Sequence, residues 1–465
     1  MKPPMNPPMK PPMKLWEKNT PVDALVELFT VGNDRTMDER LARWDVVGSI
    51  AHATMLGQVG LLPMSTAQAL VQELSTILQE IDAHGISIED GVEDIHSQIE
   101  LELTRRLGDV GKTIHVGRSR NDQVAVDLKL FLRHEMRQLR SDVHALIKIM
   151  LDVADEHGTT SLPGYTHYQV AMPSSFALWV GGYAEALLED LRVVDMAIDA
   201  ANANPLGSAA GYGTSLPIDR QQTTRALNFD RLHVTSTFAQ MSRGRTEKLV
   251  AMAMAQVAST LARFAMDVVQ YMSQNYALLT LPDHLTTGSS IMPHKKNPDV
   301  FEVLRARCNR LQSLPTELAL VQTNLPSGYH RDLQFVKDRI IPALDEMRLC
   351  VHVAQAMVPH VRPIGGVMHD SRYRYIDSVD RVNDLVAQGV PFRDAYRAIA
   401  DSIANGTYNA GSPLPDHVPN DASAAIGSPG NPGITLLRER WVSSHPSSHL
   451  NSNSNSNSRS ESSTS

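Results

Sequence analysis

A chain of 465 residues, 42% apolar and 20% charged, can bury a large core divided among more than one domain. Its formal charge of −8 argues against a general nucleic-acid binder, and only 5% of its residues are aromatic, which favours helix over sheet. No apolar run reads as long enough to span a membrane. Cys308 and Cys350 stand in apolar, helical surroundings and read as small hydrophobes of a reduced compartment, not as a disulfide framework or zinc ligands.

The first residues repeat Met-Lys-Pro-Pro with small changes, so residues 1–13 are expected to form a disordered, proline-rich arm without a secretory h-region. Met13 is an alternative start, because Met13-Lys14-Leu15-Trp16 already looks like the beginning of a fold. An N-terminal helical domain is expected over 14–122. One helix runs from Asp38 to Leu61 and closes at Gly60, and a second opens at Pro63 and reaches about Ala83. Glu93-Asp94-Ile95-His96 leads a third, and Ile114 to Gln123 breaks the apolar pattern with a polar turn.

A central bundle domain is expected over 123–358. Leu132, Met136, Leu139, Val143, Leu146, Met150 and Val153 alternate steps of four and three. Phe176, Val180, Tyr183, Leu187, Leu191, Val194 and Ile198 do nearly the same, as do Val250, Met254, Val257, Leu261, Phe264, Val268 and Tyr271. Apolar residues every 3.5 positions mean helices packed through a seam at a shallow angle. The fold class is therefore all-α, a bundle of long helices. Helices of about 30–45 Å at 1.5 Å per residue also suggest a core shared in an oligomer. Shorter helices are expected over Asp299–Leu314 and Arg339–Met357, then a small helical region over 359–406. From 407 to 465 low apolar content and Asn-Ser repeats point to a disordered tail.

Polar segments interrupt this pattern around His96, around Arg120-Asn121, around Thr166-His167, and at Thr287 to Asp299. The last one, Thr-Gly-Ser-Ser-Ile-Met-Pro-His-Lys-Lys-Asn-Pro-Asp, suits neither helix nor strand. Pro298 fits the first turn of a helix whose free N–H groups, together with the hydroxyls and ammonium groups before it, would hold a carboxylate. Each segment alone has a plainer reading: a solvated turn capped by Asn121 or Asp122, a satisfied histidine at His167, a polar loop before a helix. In an up-and-down bundle, however, helix ends meet at one level and can line one cleft.

The thirteen-residue segment resembles the signature of the fumarase/aspartase superfamily, and its Lys-Lys-Asn-Pro-Asp ending looks like the argininosuccinate lyase branch. Gly117 to Gln123, Gly164-Tyr165-Thr166-His167, Pro205-Leu206-Gly207-Ser208, Tyr329 to Gln334 with Lys337, and Gly389 to Arg393 continue the likeness in the same order, from about Lys14 to Arg397. The resemblance implies cleavage of argininosuccinate to arginine and fumarate, with no metal or organic cofactor, in cytoplasmic homotetramers whose sites combine segments of three chains. No nucleic acid or membrane partner is implied. It makes Ser289 the general base, with Lys295 and the loop amides lowering its pKa. The acid would be His167, oriented by Glu302, or Thr166 beside it. Arg120 and Asn121, with Ser119, would grip the succinyl part, and Asn297 a carboxylate. Tyr329, Gln334 and Lys337 would meet the arginine-bearing end or its carboxylates, and His96 resembles a further active-site histidine.

Departures from the pattern are Tyr168 in place of a usual leucine and His294 in place of a glutamine; His294 also occurs in the adenylosuccinate lyase branch. Thr237 to Arg245 lacks the acidic pattern of many relatives, and no C-terminal helical domain is recognisable beyond Asn405. The competing readings are an adenylosuccinate lyase-like enzyme, which would need a phosphate-binding group, and a non-enzymatic helical assembly protein of the crystallin kind. The joint presence of Ser289, His167, Lys295 and Asn297 argues against the second, since packing requires none of them.

Overall fold

The computed structural model describes residues 23–409 and 415–444. The expected proline-rich arm, the Met13 start and the Asn-Ser repeats lie outside the described residues. The fold is all-α, with three two-stranded sheets as the described β-structure. The described chain divides into two compact units. One holds residues up to Leu139 with Val193–Ala255 and Gln312–Glu346, and the other holds Arg140–Arg192, Gln256–Leu311 and the chain from Met347.

Three long helices carry the architecture: Arg120–His157, Phe176–Ala201 and Arg245–Met272. With 38, 26 and 28 residues they extend about 57, 39 and 42 Å at 1.5 Å per residue. The seams explain them. Every residue of the first, Leu132 to Val153, is at most 5% exposed, and the other two are buried except for half-buried Tyr183, Ile198 and Tyr271. The 3.5-residue period is thus satisfied within a single chain, so the seams by themselves do not require an oligomer. Exposed methionines lie elsewhere on these elements, at Met196, Met252 and Met266. Within Ser236–Met272, a window of 18 residues is apolar and long enough to cross a membrane by composition (mean hydropathy 1.4), which corrects the sequence reading. Most of it is buried in protein, as suits a core helix.

The first unit adds Ala42–Gln58 packed on Met64–His84, with Ile95–Leu107 against both. Leu56, Leu70, Leu74, Ile95, Ile99 and Leu103 form their shared core. The two packed helices meet closely at Gly57, where a Cβ would stand 2.6 Å from that of Ala67.

Several boundaries differ from the sequence reading, among them the expected Asp38–Leu61 helix, which is Asp34–Glu39 followed by Ala42–Gln58. Asp299–Leu311 ends early and a new helix starts at Leu314, because Pro315 has no N–H to continue the first. Phe335–Met357 begins four residues sooner than expected, and Pro342 sits in its interior. The polar interruption around Thr166-His167 is the tip of a hairpin, Ser161–Thr166 paired antiparallel with Gln169–Ser175, with a register shift between Pro163 and Tyr165. Cys308 and Cys350 are buried and neither is in a disulfide.

The disorder expected from 407 onward does not hold over 415–444, where Ile434–Ser443 is a helix of the second unit. Its Leu437 is buried. Trp441 stacks on His144 at 4.8 Å and donates its Nε1–H to the His144 carbonyl at 2.9 Å. Arg140 reaches the Ser444 carbonyl at 2.7 Å. Room for this helix depends on Gly181, where a Cβ would stand 2.9 Å from Ile434 Cδ1. Composition averaged over the tail hides these ten residues. Trp441→Ala should destabilise the second unit by about 2–3 kcal/mol, less than a fully buried Trp loses. Asp416 to Arg440 should resist proteolysis in the wild type and become cleavable in the variant.

Candidate active site

In the first unit the chemistry gathers at the start of the Arg120–His157 helix. Ser119 stands in the capping position. Its N–H donates to Asp122 Oδ1 at 2.8 Å, while its hydroxyl accepts from Asn121 N at 3.3 Å, so the cap falls two or three residues before the one read from sequence. Asp122 Oδ2 accepts the N–H groups of Gly207 and Ala209, both at 2.9 Å, which ties the Pro205-Leu206-Gly207-Ser208 segment to the helix. Burial pushes the Asp122 carboxyl up to about 6 even against these three N–H donors. Arg120 donates to Glu93 at 2.6 Å, Asp94 at 2.9 Å and the Ser97 hydroxyl at 2.7 Å. Arg120 and His96 are thereby joined through one short stretch, since Asp94 also caps the Ile95–Leu107 helix through Ser97 N at 2.8 Å.

His96 is buried between acids that the sequence reading did not single out. Its Nδ1 donates to Asp45 Oδ1 at 2.8 Å, and Asp127 Oδ2 lies 3.6 Å away. The available signal was a carboxylate inside an apolar helical run, Asp127 after Val124-Ala125-Val126 and Asp45 before Val46-Val47.

The 329–337 segment places three expected residues in the same unit. Tyr329 is half-buried under the Arg243 guanidinium, 6.0 Å from its ring centre. Gln334 donates to the carbonyls of Thr30 at 3.0 Å and Val31 at 3.3 Å. It lines a cavity of about 470 Å³ with Phe29, Leu320, Arg331 and Phe335. Lys337 is only 4% exposed; its ammonium lies 2.7 Å from Asp34 and also bonds Asp38. In this arrangement Lys337 anchors the short Asp34–Glu39 helix. Burial opposes its charge, but Asp38 and Asp34 outweigh that and raise its pKa.

In the second unit the Thr287–Asp299 loop is closed at its base. Thr287 N donates to Asn297 O at 3.2 Å and Asn297 N to Thr287 O at 2.8 Å. The Asn297 side chain braces Thr287 Oγ1 and Gly288 O at 3.3 and 3.4 Å, and Thr287 bonds Asp299. Within that frame Ser289 Oγ accepts the N–H groups of Ile291 at 3.3 Å and Met292 at 3.2 Å. Lys296 pairs with Asp283, whereas the Lys295 side chain is exposed and its backbone N–H donates to the Met292 carbonyl at 3.1 Å. Glu302 is exposed in the first turn of the following helix.

Thr166 and Gln169 close the hairpin, and the two residues between them, His167 and Tyr168, have φ of 53° and 57°. Two successive left-handed residues are the pattern of a type I′ turn, which ordinarily calls for Asn-Gly. Neither side chain here is small, and both stand exposed. No hydrogen bond or ion pair joins His167 to Glu302 among the described residues.

The sequence pattern of the lyase family matches residues 17–313. An argininosuccinate lyase of Parabacteroides distasonis is 48% identical over 94% of this chain and 97% of its own length. The chain belongs to the argininosuccinate lyase family. Another member, from Thermotoga neapolitana, is 36% identical over 83% of this chain and 98% of its own. The crystal structure of EDDS lyase in complex with formate shares the fold of this family member, with a TM-score of 0.73 at 21% identity over 94% of this chain and 93% of that one.

Left-handed non-glycine residues cost about 1–2 kcal/mol each. Tyr168→Gly should therefore raise the thermal midpoint or leave it unchanged, despite the extra freedom of the unfolded chain. A fall of several degrees in calorimetry would show that the Tyr168 side chain is held by contacts and not merely tolerated.

Proposed function

We propose that this chain is an argininosuccinate lyase of arginine biosynthesis, splitting argininosuccinate reversibly into L-arginine and fumarate. The observation that carries the reading is Ser289 Oγ with two backbone N–H groups directed at it, in a loop fixed at its base by the Thr287–Asn297 pair. A serine hydroxyl serves as a base only if its alkoxide is stabilised, and N–H donors with a nearby ammonium do that. The family relatives of the same name, matched over nearly the whole chain, support the substrate.

The Ser289 alkoxide removes the proton from the carbon beside a succinyl carboxylate. The electron pair spreads into that carboxylate as an aci-dianion, held by Lys295, Asn297 and the loop amides. The carbon–nitrogen bond then breaks, its electrons pass to the guanidino nitrogen, and that nitrogen takes a proton from His167 or Thr166, with Glu302 orienting the imidazole. Ser119, Arg120, Asn121 and His96 bind the succinyl part. Tyr329 and Gln334 meet the arginine-bearing end, and Lys337 joins them with a charge already shared by Asp34 and Asp38. We take the working form to be a cytoplasmic homotetramer with sites built from several chains. Two features support this: an exposed His167 at a hairpin tip, and exposed methionines on helices whose seams are already buried.

Purified protein should release fumarate, followed by its absorbance, from argininosuccinate and not from adenylosuccinate; the reverse preference would overturn the reading. Ser289→Ala should cut turnover by about 10²–10⁴-fold while binding persists, because the lost interaction belongs to the transition state. Lys295→Met should harm binding and turnover together. Refolding Ser289→Ala with His167→Asn chains should restore part of the activity in mixed tetramers, and no recovery would count against sites shared between chains.

A further inference from the structure

His96 is held from one side by carboxylates of two other helices. Its Nδ1 lies 2.8 Å from Asp45 Oδ1 and 3.6 Å from Asp127 Oδ2, and the three residues are 7%, 2% and 0% exposed. A carboxylate oxygen this close can only accept, so Nδ1 carries the hydrogen. Asp45 Oδ2 and both Asp127 oxygens are buried and have no other hydrogen-bond partner among the described residues. Two acids buried that way are costly unless a charge beside them answers theirs. Arg118 and Arg120 are the nearby guanidinium groups, but Arg118 donates to Ser49 at 2.9 Å and Arg120 to Glu93 and Asp94.

We propose that Asp45 and Asp127 are positioning residues that clamp His96 as a permanent imidazolium, leaving its other ring nitrogen as a fixed N–H donor for the succinyl end of the substrate. His96 on this account is a constant charge and not a group that gains and loses a proton during turnover. This rests on the function proposed above.

The surroundings agree. Burial works against a charged His96, but Asp45, Asp94 and Asp127 together outweigh it and lift the ring to about 10. Burial and repulsion from Asp45 push Asp127 up in turn, and His96 and Arg118 oppose that. Asp38 adds to the negative side behind Asp127, while His115, itself pushed down by burial and the arginines, adds no charge near neutrality. The sign follows: a group protonated up to high pH stays cationic throughout the assay range, and removing one acid lets its proton leave within that range.

Asp127→Asn is close to isosteric and removes one charge. Its kcat/KM relative to wild type should fall at least tenfold between pH 6.5 and 9, with most of the change in KM, since a ground-state contact is lost. In a His96→Asn background the same change should add no pH-dependent loss. A purely packing role would lower activity by one factor at every pH, and a flat ratio in active enzyme would falsify the proposal. Absence of fumarate from the wild type at every pH would instead overturn the function. The inference then still has its own readout, in histidine C2-hydrogen exchange followed by mass spectrometry. His96 should show no inflection between pH 6 and 9 in the wild type and should acquire one in Asp127→Asn; an ordinary inflection near 6.5 in the wild type would overturn it. One equivalent of a divalent metal per chain, lost in Asp127→Asn, would also overturn it, because Asp45, His96 and Asp127 have the spacing of metal ligands.

Discussion

The first turn of the Arg120–His157 helix holds the first unit's site together. A helix start offers N–H groups that its own backbone does not use, and a positive dipole end. Ser119 and Asp122 satisfy those groups locally. The second oxygen of Asp122 then takes the Gly207 and Ala209 amides, so one carboxylate fixes the distance between two segments more than eighty residues apart. Arg120 fixes the third segment through Glu93, Asp94 and Ser97. Without Asp122, the buried Gly207 N–H would lack an acceptor, at about 1–3 kcal/mol, and the half-buried Ser119 and Ala209 N–H groups would lose theirs as well. The segments proposed to bind substrate are thus held to one another by acids that need not touch it.

The second unit solves a different problem. Its loop, proposed to receive a substrate carboxylate, is tied at its base through Thr287, Asn297 and Asp299. The middle stays exposed, and Ser289 is held by main-chain donors alone. Donors of that kind cannot be lost by side-chain rotation. The hairpin tip is likewise built from backbone, with two left-handed residues presenting His167 at the end of a paired ladder.

What the sequence made legible follows the strength of the periodic signal. The long helices could be read because their seams are apolar without interruption and each extends over several turns. The Ser289 segment could be read because glycine, prolines and charges are packed into thirteen positions. The hairpin could not, because Pro163, Gly164 and Pro173 look like turn punctuation, while a two-stranded ladder depends on cross-strand pairing that leaves little trace in one strand. Asp45, Asp127, Asp34 and Asp38 escaped for a related reason. An acid one helical turn from apolar neighbours looks solvent-facing until a partner from another helix, His96 or Lys337, is brought to it. The Ile434–Ser443 helix was hidden by the proline, serine and asparagine around it, which describe the tail on average but not those ten residues.

The burial of the two cysteines has a consequence for how the molecule meets reagents and oxidants. Cys308 lies in the helix that follows the Ser289 loop and Cys350 in Phe335–Met357, both sealed from water. Thiol chemistry proceeds through the thiolate, which forms poorly in apolar surroundings. A thiol reagent would therefore react only as fast as the second unit opens, so its rate measures that opening. The thioethers of Met196, Met252 and Met266 already stand at the surface, so an oxidant would mark the outside of the long helices well before it reached either sulfur inside.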